Sequence, residues 1–320
     1  TEITTVQAFI LDTTPPELAV GGPYSGNEGD MIVLDGTATT DAGSGVDHTG
    51  WTSTPESLID QGADPANFVP ADNGAFTMVL SAVDNLGNGA QQDVVVTADN
   101  ADPSVVIDSV GDGPDFFLPY VDAVLAASFN DPGTLDTHTA SVDWGDGQST
   151  PSTVDESPFG PPGSVTGLDG SVIDVHAWGS PGVYATVLTV ADDDGGSGTD
   201  GRTVEVVDPI EALERTIDDL ELLGDEAVGD ALRHLVGPDT SGSASSGALD
   251  RLEAGTTLAA IVKIGLAIDE LADAEVDTGF AELVLAQIVE SVAAELEVAA
   301  IQENPSPPPG IAHQLELIAV

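Results

Sequence analysis

Apolar and polar residues alternate with a period of two along the first two thirds of the chain, and the period lengthens to about 3.6 near Val207. The clearest strand signal occurs twice, as GAFTMVLSAVDNLGN from Gly74 and GVYATVLTVADDDGG from Gly182, 108 residues apart. An aromatic follows each Gly by two positions (Phe76, Tyr184), Val79-Leu80 matches Val187-Leu188, Asp84 matches Asp192, and Gly87 matches Gly195. Such a segment is a strand that buries alternate residues and ends in an acidic, Gly-containing turn. The spacing equals one β-sandwich domain, so the pattern predicts repeated β modules.

Thr1 to Asp12, TEITTVQAFILD, reads as a strand of about nine residues, apolar on both faces toward its end. The adjoining stretch TTPPELAV, from Thr13 to Val20, parallels the later passage ADNADPSVV: closing strand, short polar turn, Pro, opening strand. By that analogy Thr1 to Leu11 stands in the place of the last strand of a domain, and a lone strand needs a sheet to join. It either packs on its own neighbouring domain or completes the sheet of another molecule.

The second module carries the more specific signature. Trp144-Gly145-Asp146-Gly147 forms a tight turn, and Gly182, Tyr184, Leu188, Val190, Asp192 and Gly195 fit a G-x-Y-x-V-x-L-x-V-x-D-x-x-G pattern. On these residues the module resembles a PKD domain, the immunoglobulin-like β-sandwich of secreted and surface proteins. The first module keeps the strand and an opening formed by Gly22, Pro23, Tyr24, Glu28, Gly29, Leu34, Asp35 and Gly36, but has Gly50-Trp51-Thr52 in place of W-G-D-G, so it is PKD-like. Trp51 and Trp144 are expected in the cores, and Asp146 is expected to bond its own turn.

Beyond Val207, Asp208-Pro209 supplies an N-cap and a Pro at the first helical position. Ile210, Leu213, Ile217 and Leu220 share a face, and Gly224 stops the helix. A short helix is expected from Asp225 to Val236, a third from Leu249 to Ala274 interrupted near Gly255, and a fourth from Asp277 to about Gln302. The fourth carries a wide stripe: Phe280, Leu283, Val284, Ile288, Val292 and Leu296. The predicted fold class is therefore all-β plus all-α: two tandem immunoglobulin-like (PKD-like) β-sandwiches followed by an antiparallel helical bundle. The expected boundaries are 1–12 for the N-terminal strand, 13–99 and 100–207 for the sandwiches, 208–303 for the bundle, and 304–320 for a Pro-rich spacer and apolar tail.

Charge changes this picture most. Five Lys and Arg face 56 Asp and Glu, a net charge of −51, which repels phosphate backbones and makes nucleic acid a poor partner. Two explanations stay open: carboxylates that ligate Ca2+ at particular loops, or acidity spread over the surface of a protein working in high salt. The scarcity of Lys favours the second, with local sites superimposed. Cys is absent, so neither disulfides nor thiolate chemistry enter. No segment approaches the roughly 20 apolar residues of a membrane span, and an extracellular or cell-surface location is expected from module type and composition.

Candidate chemistry is sparse. Without a G-x-S-x-G elbow, an H-E-x-x-H helix or Cys, and with His residues scattered singly, the chain reads as non-enzymatic. Candidate Ca2+ ligands are Asp192, Asp193 and Asp194 in the second repeated turn, and Asp99, Asn100 and Asp102 at the module junction, which resemble interdomain linkers that bind Ca2+ and stiffen a joint. Trp178 is the best exposed candidate for stacking a sugar. The favoured function is a secreted subunit of an extracellular filament or surface layer, a homopolymer joined through its termini. Val6, Ala8, Phe9, Ile10 and Leu11 would complement a neighbour's sandwich, and Ile311, Leu315, Leu317 and Ile318 would form the second contact. The alternative is an adhesin, or an accessory module of a secreted multidomain protein that binds polysaccharide or other surface proteins.

Overall fold

The structure, a computed structural model, describes residues 11–111, 113, 115–158, 160–223, 228–237, 246–274, 278 and 280–303. Two curled β units are followed by a bundle of helices, each with its own apolar core.

The first unit has six strands: β1 (Tyr24–Asn27), β2 (Ile32–Leu34), β3 (Val46–Ser53), β4 (Ala66–Phe68), β5 (Gly74–Asp84) and β6 (Gly89–Asp99). They form a four-stranded sheet in the order β1-β6-β5-β3, with β1 parallel to β6, and a two-stranded sheet of β2 and β4. Strand β5 shows why: Met78, Leu80, Ala82 and Asp84 are buried while the intervening residues are more open, the period of a strand with one face on a core. Met78 and Leu80 meet Leu34, Trp51 and Phe68. Trp51 is fully buried and donates its Nε1–H to Asp64 Oδ1 at 3.2 Å.

The second unit is built from β7 (Ser104–Val110), β8 (Ala123–Asp131), β9 (Thr139–Asp143), β10 (Ser149–Asp155), β11 (Leu168–His176), β12 (Gly182–Ala191) and β13 (Ser197–Val206). Where two packed sheets are expected, the seven strands form one continuous sheet in the order β13-β12-β9-β10-β11-β8-β7. Strand β10 makes the difference, because Ser149 to Ser152 pair with β9 and Thr153 to Asp155 pair with β11. The sheet curls until its edges meet, and side chains replace the missing ladder: Asp200 Oδ2 accepts the Ile107 N–H at 2.7 Å and Arg202 Nη2 donates to the Ile107 carbonyl at 3.0 Å. That closure covers an edge that would otherwise invite pairing.

The helices are α1 (Pro209–Leu223), α2 (Gly229–Leu235), α3 (Ala248–Glu253), α4 (Thr257–Asp273) and α5 (Ala281–Glu303). Asp208 caps α1 as expected, its Oδ1 accepting the Ile210 and Glu211 N–H groups. The break near Gly255 is real: its φ of +67° ends α3 before α4 begins. The expected stripe on α5 is narrower than its sequence, with Val284, Ile288 and Val292 buried but Phe280 and Leu283 exposed. The bundle does not close its core alone. Leu118 and Val121, from the loop between β7 and β8, and Val207 enter it, while neighbouring Phe117 turns the other way and packs on Trp178. Arg215 ties the seam, bridging Glu205 and Glu211 and lying over the Phe116 ring.

Candidate metal centre at the junction of the β units

Only four residues separate β6 from β7, so the loops at one end of the first unit face those at the near end of the second. Backbone hydrogen bonds fasten the two: Leu135 N–H to the Ala71 carbonyl (2.9 Å) and Gly163 N–H to the Val69 carbonyl (3.0 Å). Glu28 N–H reaches back to the Asp99 carbonyl at 3.0 Å, and Ala101 N–H donates to Glu28 Oε1 at 2.8 Å. At Gly29, φ is +73° and Pro132 of the second unit lies against the Cα, so no side chain fits there.

This packing brings together carboxylates from distant parts of the chain. One oxygen each of Glu28, Asp131 and Asp136 lie within 4.8 Å of one another, and the same holds for Asp72, Asp136 and Asp194. Glu28 and Asp72 come from loops of the first unit; Asp131, Asp136 and Asp194 come from the second. Glu28, Asp131 and Asp136 are at most 2% exposed. Their inner oxygens are orphaned: Glu28 Oε2, Asp131 Oδ2 and both oxygens of Asp136 have no hydrogen-bond partner. Gly133 sits so close that a Cβ there would collide with Asp136 Oδ2 and Glu28 Cδ, which leaves room for the carboxylates and nothing larger on that side.

An unpaired buried carboxylate is expensive, so such a group either takes up a proton or holds a cation. Without a cation the proton is favoured. Burial raises Glu28 to about 7, with Asp131, Asp72 and Asp192 adding to the rise against the Ala101 N–H. Burial and the charges of Glu28, Asp131, Asp72 and Asp194 raise Asp136 to about 8. Asp72 is also raised, by burial first and then by Asp194. Beside the cluster, His138 places Nδ1 2.6 Å from Glu156 and Nε2 3.2 Å from Asp131 Oδ2, the second contact being too poorly aligned for a hydrogen bond. Burial works against its charge, yet Asp131 and Glu156 outweigh it and raise its pKa. The donor set, all hard oxygen around a small space shared by two rigid units, fits a divalent cation such as Ca2+. Asn100 Oδ1 and Thr134 Oγ1 are two further buried oxygens without partners in the same junction.

Of the six ligands expected from sequence, the structure brings only part to this centre. Asp194 belongs to the second triple, and Asn100 contributes its free oxygen. Asp192 is a turn former: Oδ1 accepts the Asp194, Gly195 and Gly196 N–H groups, and Oδ2 accepts Asn100 Nδ2 at 3.0 Å. Asp193 accepts the Thr137 N–H and Asp102 the Ser197 N–H, while Asp99 is exposed and joins neither triple. Glu28, Asp72, Asp131 and Asp136 were missed. No sequence signal separated them: Asp131-Pro132-Gly133-Thr134 repeats the Asp-x-Gly-hydroxyl order of Asp41-Ala42-Gly43-Ser44, whose Asp41 has both its bonds made within its own turn.

Trp178 corrects the carbohydrate expectation. It is fully buried, donates Nε1–H to the Trp144 carbonyl at 3.2 Å and stacks with Tyr184, so it offers no face to a sugar. Asp146 bonds its own turn through the Gln148 N–H, as expected, and also holds His176 Nε2 at 2.9 Å. Val6, Ala8, Phe9, Ile10, Ile311, Leu315, Leu317 and Ile318 lie outside the described residues, and Leu11 is 91% exposed. Among the described residues no helix is long and apolar enough to cross a membrane.

No family model and no curated protein matches the chain. Among solved structures it is distantly similar to the fibronectin(III)-like modules of Clostridium thermocellum CbhA. The identity is 14% over 60% of this chain and 95% of that one, with a TM-score of 0.25. It is also similar to the PKD domain of an M14-like peptidase from Thermoplasmatales archaeon SCGC AB-540-F20, at 23% identity over 33% of this chain and 92% of that one, TM-score 0.23. A third is Drosophila N-cadherin EC1-4, at 12% over 60% and 50%, TM-score 0.21.

Proposed function

We propose that the protein is a non-enzymatic extracellular arm of tandem β modules, an adhesion-type or accessory segment of a secreted or surface protein, whose first joint is locked by Ca2+. The observation that carries this is the set of buried, orphaned oxygens of Glu28, Asp131 and Asp136, contributed by both units. A cation there bonds residues from the two sides at once, so its binding energy becomes energy that holds the joint at one angle. Ca2+ suits the site better than Mg2+, because its carboxylates come from a strand end and separate loops at varied angles and Mg2+ demands near-octahedral geometry. A stiff arm presents binding surfaces at a fixed distance, which is what an adhesive or accessory segment needs to reach a polysaccharide or a protein partner.

Small-angle scattering and thermal melting of the whole chain, in Ca2+ and in chelator at equal ionic strength, test the proposal. We expect a higher melting temperature and a narrower, more extended particle in Ca2+, with Mg2+ a weaker substitute. Identical curves in Ca2+ and chelator would sink it and leave the acidity to the diffuse, salt-adapted explanation.

A further inference from the structure

We infer that the junction holds two divalent cations, bridged by the carboxylate of Asp136. The inference rests on the reading that the junction binds Ca2+ and adds its nuclearity. Two triples of carboxylate oxygens meet there, Glu28–Asp131–Asp136 and Asp72–Asp136–Asp194, and Asp136 is the residue they share. Asp136 is 2% exposed and has both oxygens without a partner, so each is free for a separate ion. Glu28 and Asp131 each give their other oxygen to a backbone N–H, whereas Asp136 gives neither of its own.

The two positions differ in exposure. Glu28, Asp131 and Asp136 enclose the inner one, whereas Asp72 is half-buried and Asp194 exposed at the outer one. The inner ion sheds most of its water, while the outer ion keeps several and binds more weakly. Both ions span the two units, because Asp72 lies on the first and Asp194 on the second. The outer ion therefore fills last and completes the stiffening as Ca2+ rises.

The test is calorimetric titration with Ca2+ and native mass spectrometry of the whole chain, first stripped with chelator, in enough monovalent salt to screen diffuse binding. The wild type should take two junction ions with affinities at least about tenfold apart, within the range open to Ca2+ sites. Asp72→Asn and Asp194→Asn should each remove the weaker ion and leave the tighter one. Asp136→Asn should weaken both. Circular dichroism and melting in chelator report whether each variant is folded; Asp72 and Asp194 are the open positions and tolerate the change best. A wild type that binds one ion, or a second ion unaffected by Asp72→Asn and Asp194→Asn, overturns the two-ion centre. Binding of no ion overturns the underlying reading instead.

Discussion

Carboxylates cluster at both ends of the first β unit, three of them at the far end and five at the junction where the second unit contributes, and the two clusters behave in opposite ways. At the end away from the junction, Asp12, Asp41 and Asp84 bring oxygens within 4.8 Å of one another, as tightly as the junction triples. Every one of the three is occupied. Asp12 accepts the Thr14 and Ser44 N–H groups, Asp41 those of Gly43 and Gly45, and Asp84 those of Leu86 and Asn88 together with the Asn88 side chain. Burial pushes Asp84 upward, but the Asn88 amide and the turn N–H groups prevail and bring it down to about 2. At the junction the oxygens lack partners, and Glu28 and Asp136 are pushed up. Crowding of carboxylates is therefore no mark of a cation site; what distinguishes the junction is buried oxygen, both oxygens of Asp136 and Oε2 of Glu28, that no hydrogen bond satisfies.

The largest expected effect comes from removing the cation. At a Ca2+ concentration about a hundred times the dissociation constant, binding adds about 2.7 kcal/mol, which corresponds to a rise of about 4 °C in melting temperature for a chain of this size. Asp136→Asn, which weakens both ions, should shrink that rise, and differential scanning calorimetry in Ca2+ and in chelator reads it directly.

The pH response comes next, and its sign differs between the two ends. In chelator, Glu28 and Asp136 lose a proton less readily folded than unfolded, where the ordinary values are 4.5 and 3.8. Their contribution is present below those ordinary values and is lost as the pH climbs through about 7 and 8. Asp84 is the reverse: its contribution is present above 3.8 and is lost as the pH falls toward 2. Melting temperature in chelator should thus fall on both flanks, while saturating Ca2+ should remove the alkaline decline and leave the acid one. An alkaline decline that survives in Ca2+ would break the comparison.

A smaller effect is expected from Asp84→Asn, which unsettles a turn and leaves the junction intact. It should lower the melting temperature by the same amount in Ca2+ and in chelator, and a Ca2+-dependent difference would place a cation at the wrong end. The smallest is Arg215→Ala at the seam with the helices. Its partners Glu205 and Glu211 are nearly half exposed, so chemical denaturation should register at most about 1 kcal/mol, independent of Ca2+.

Much of the architecture could be read from sequence where it obeys a period. The repeated strand is β5 in one unit and β12 in the other, and Asp84 and Asp192, which the repeat aligns, perform the same turn-forming task. The single curled sheet was not legible, because it depends on β10 changing partners midway along its length. Trp178 was misplaced because no alternation frames it: it lies two residues beyond β11, in a loop that folds back under Tyr184. The centre was hidden for a different reason. Glu28, Asp72, Asp131, Asp136 and Asp194 are scattered along the chain among 56 carboxylates, and their distinction is a missing hydrogen bond, which only the packed structure defines. Asp99, Asn100 and Asp102, named from sequence, lie at the same joint, yet Asn100 and Asp102 hold its turns together.

The central claim is tested most directly by X-ray diffraction from crystals of the whole chain grown with Ca2+, using the anomalous signal to locate the ions. The account predicts cation density about 2.3–2.6 Å from oxygens of Glu28, Asp131 and Asp136, and none among Asp12, Asp41 and Asp84. Density at the far cluster, or a junction whose carboxylates share protons and hold no ion in saturating Ca2+, would contradict it.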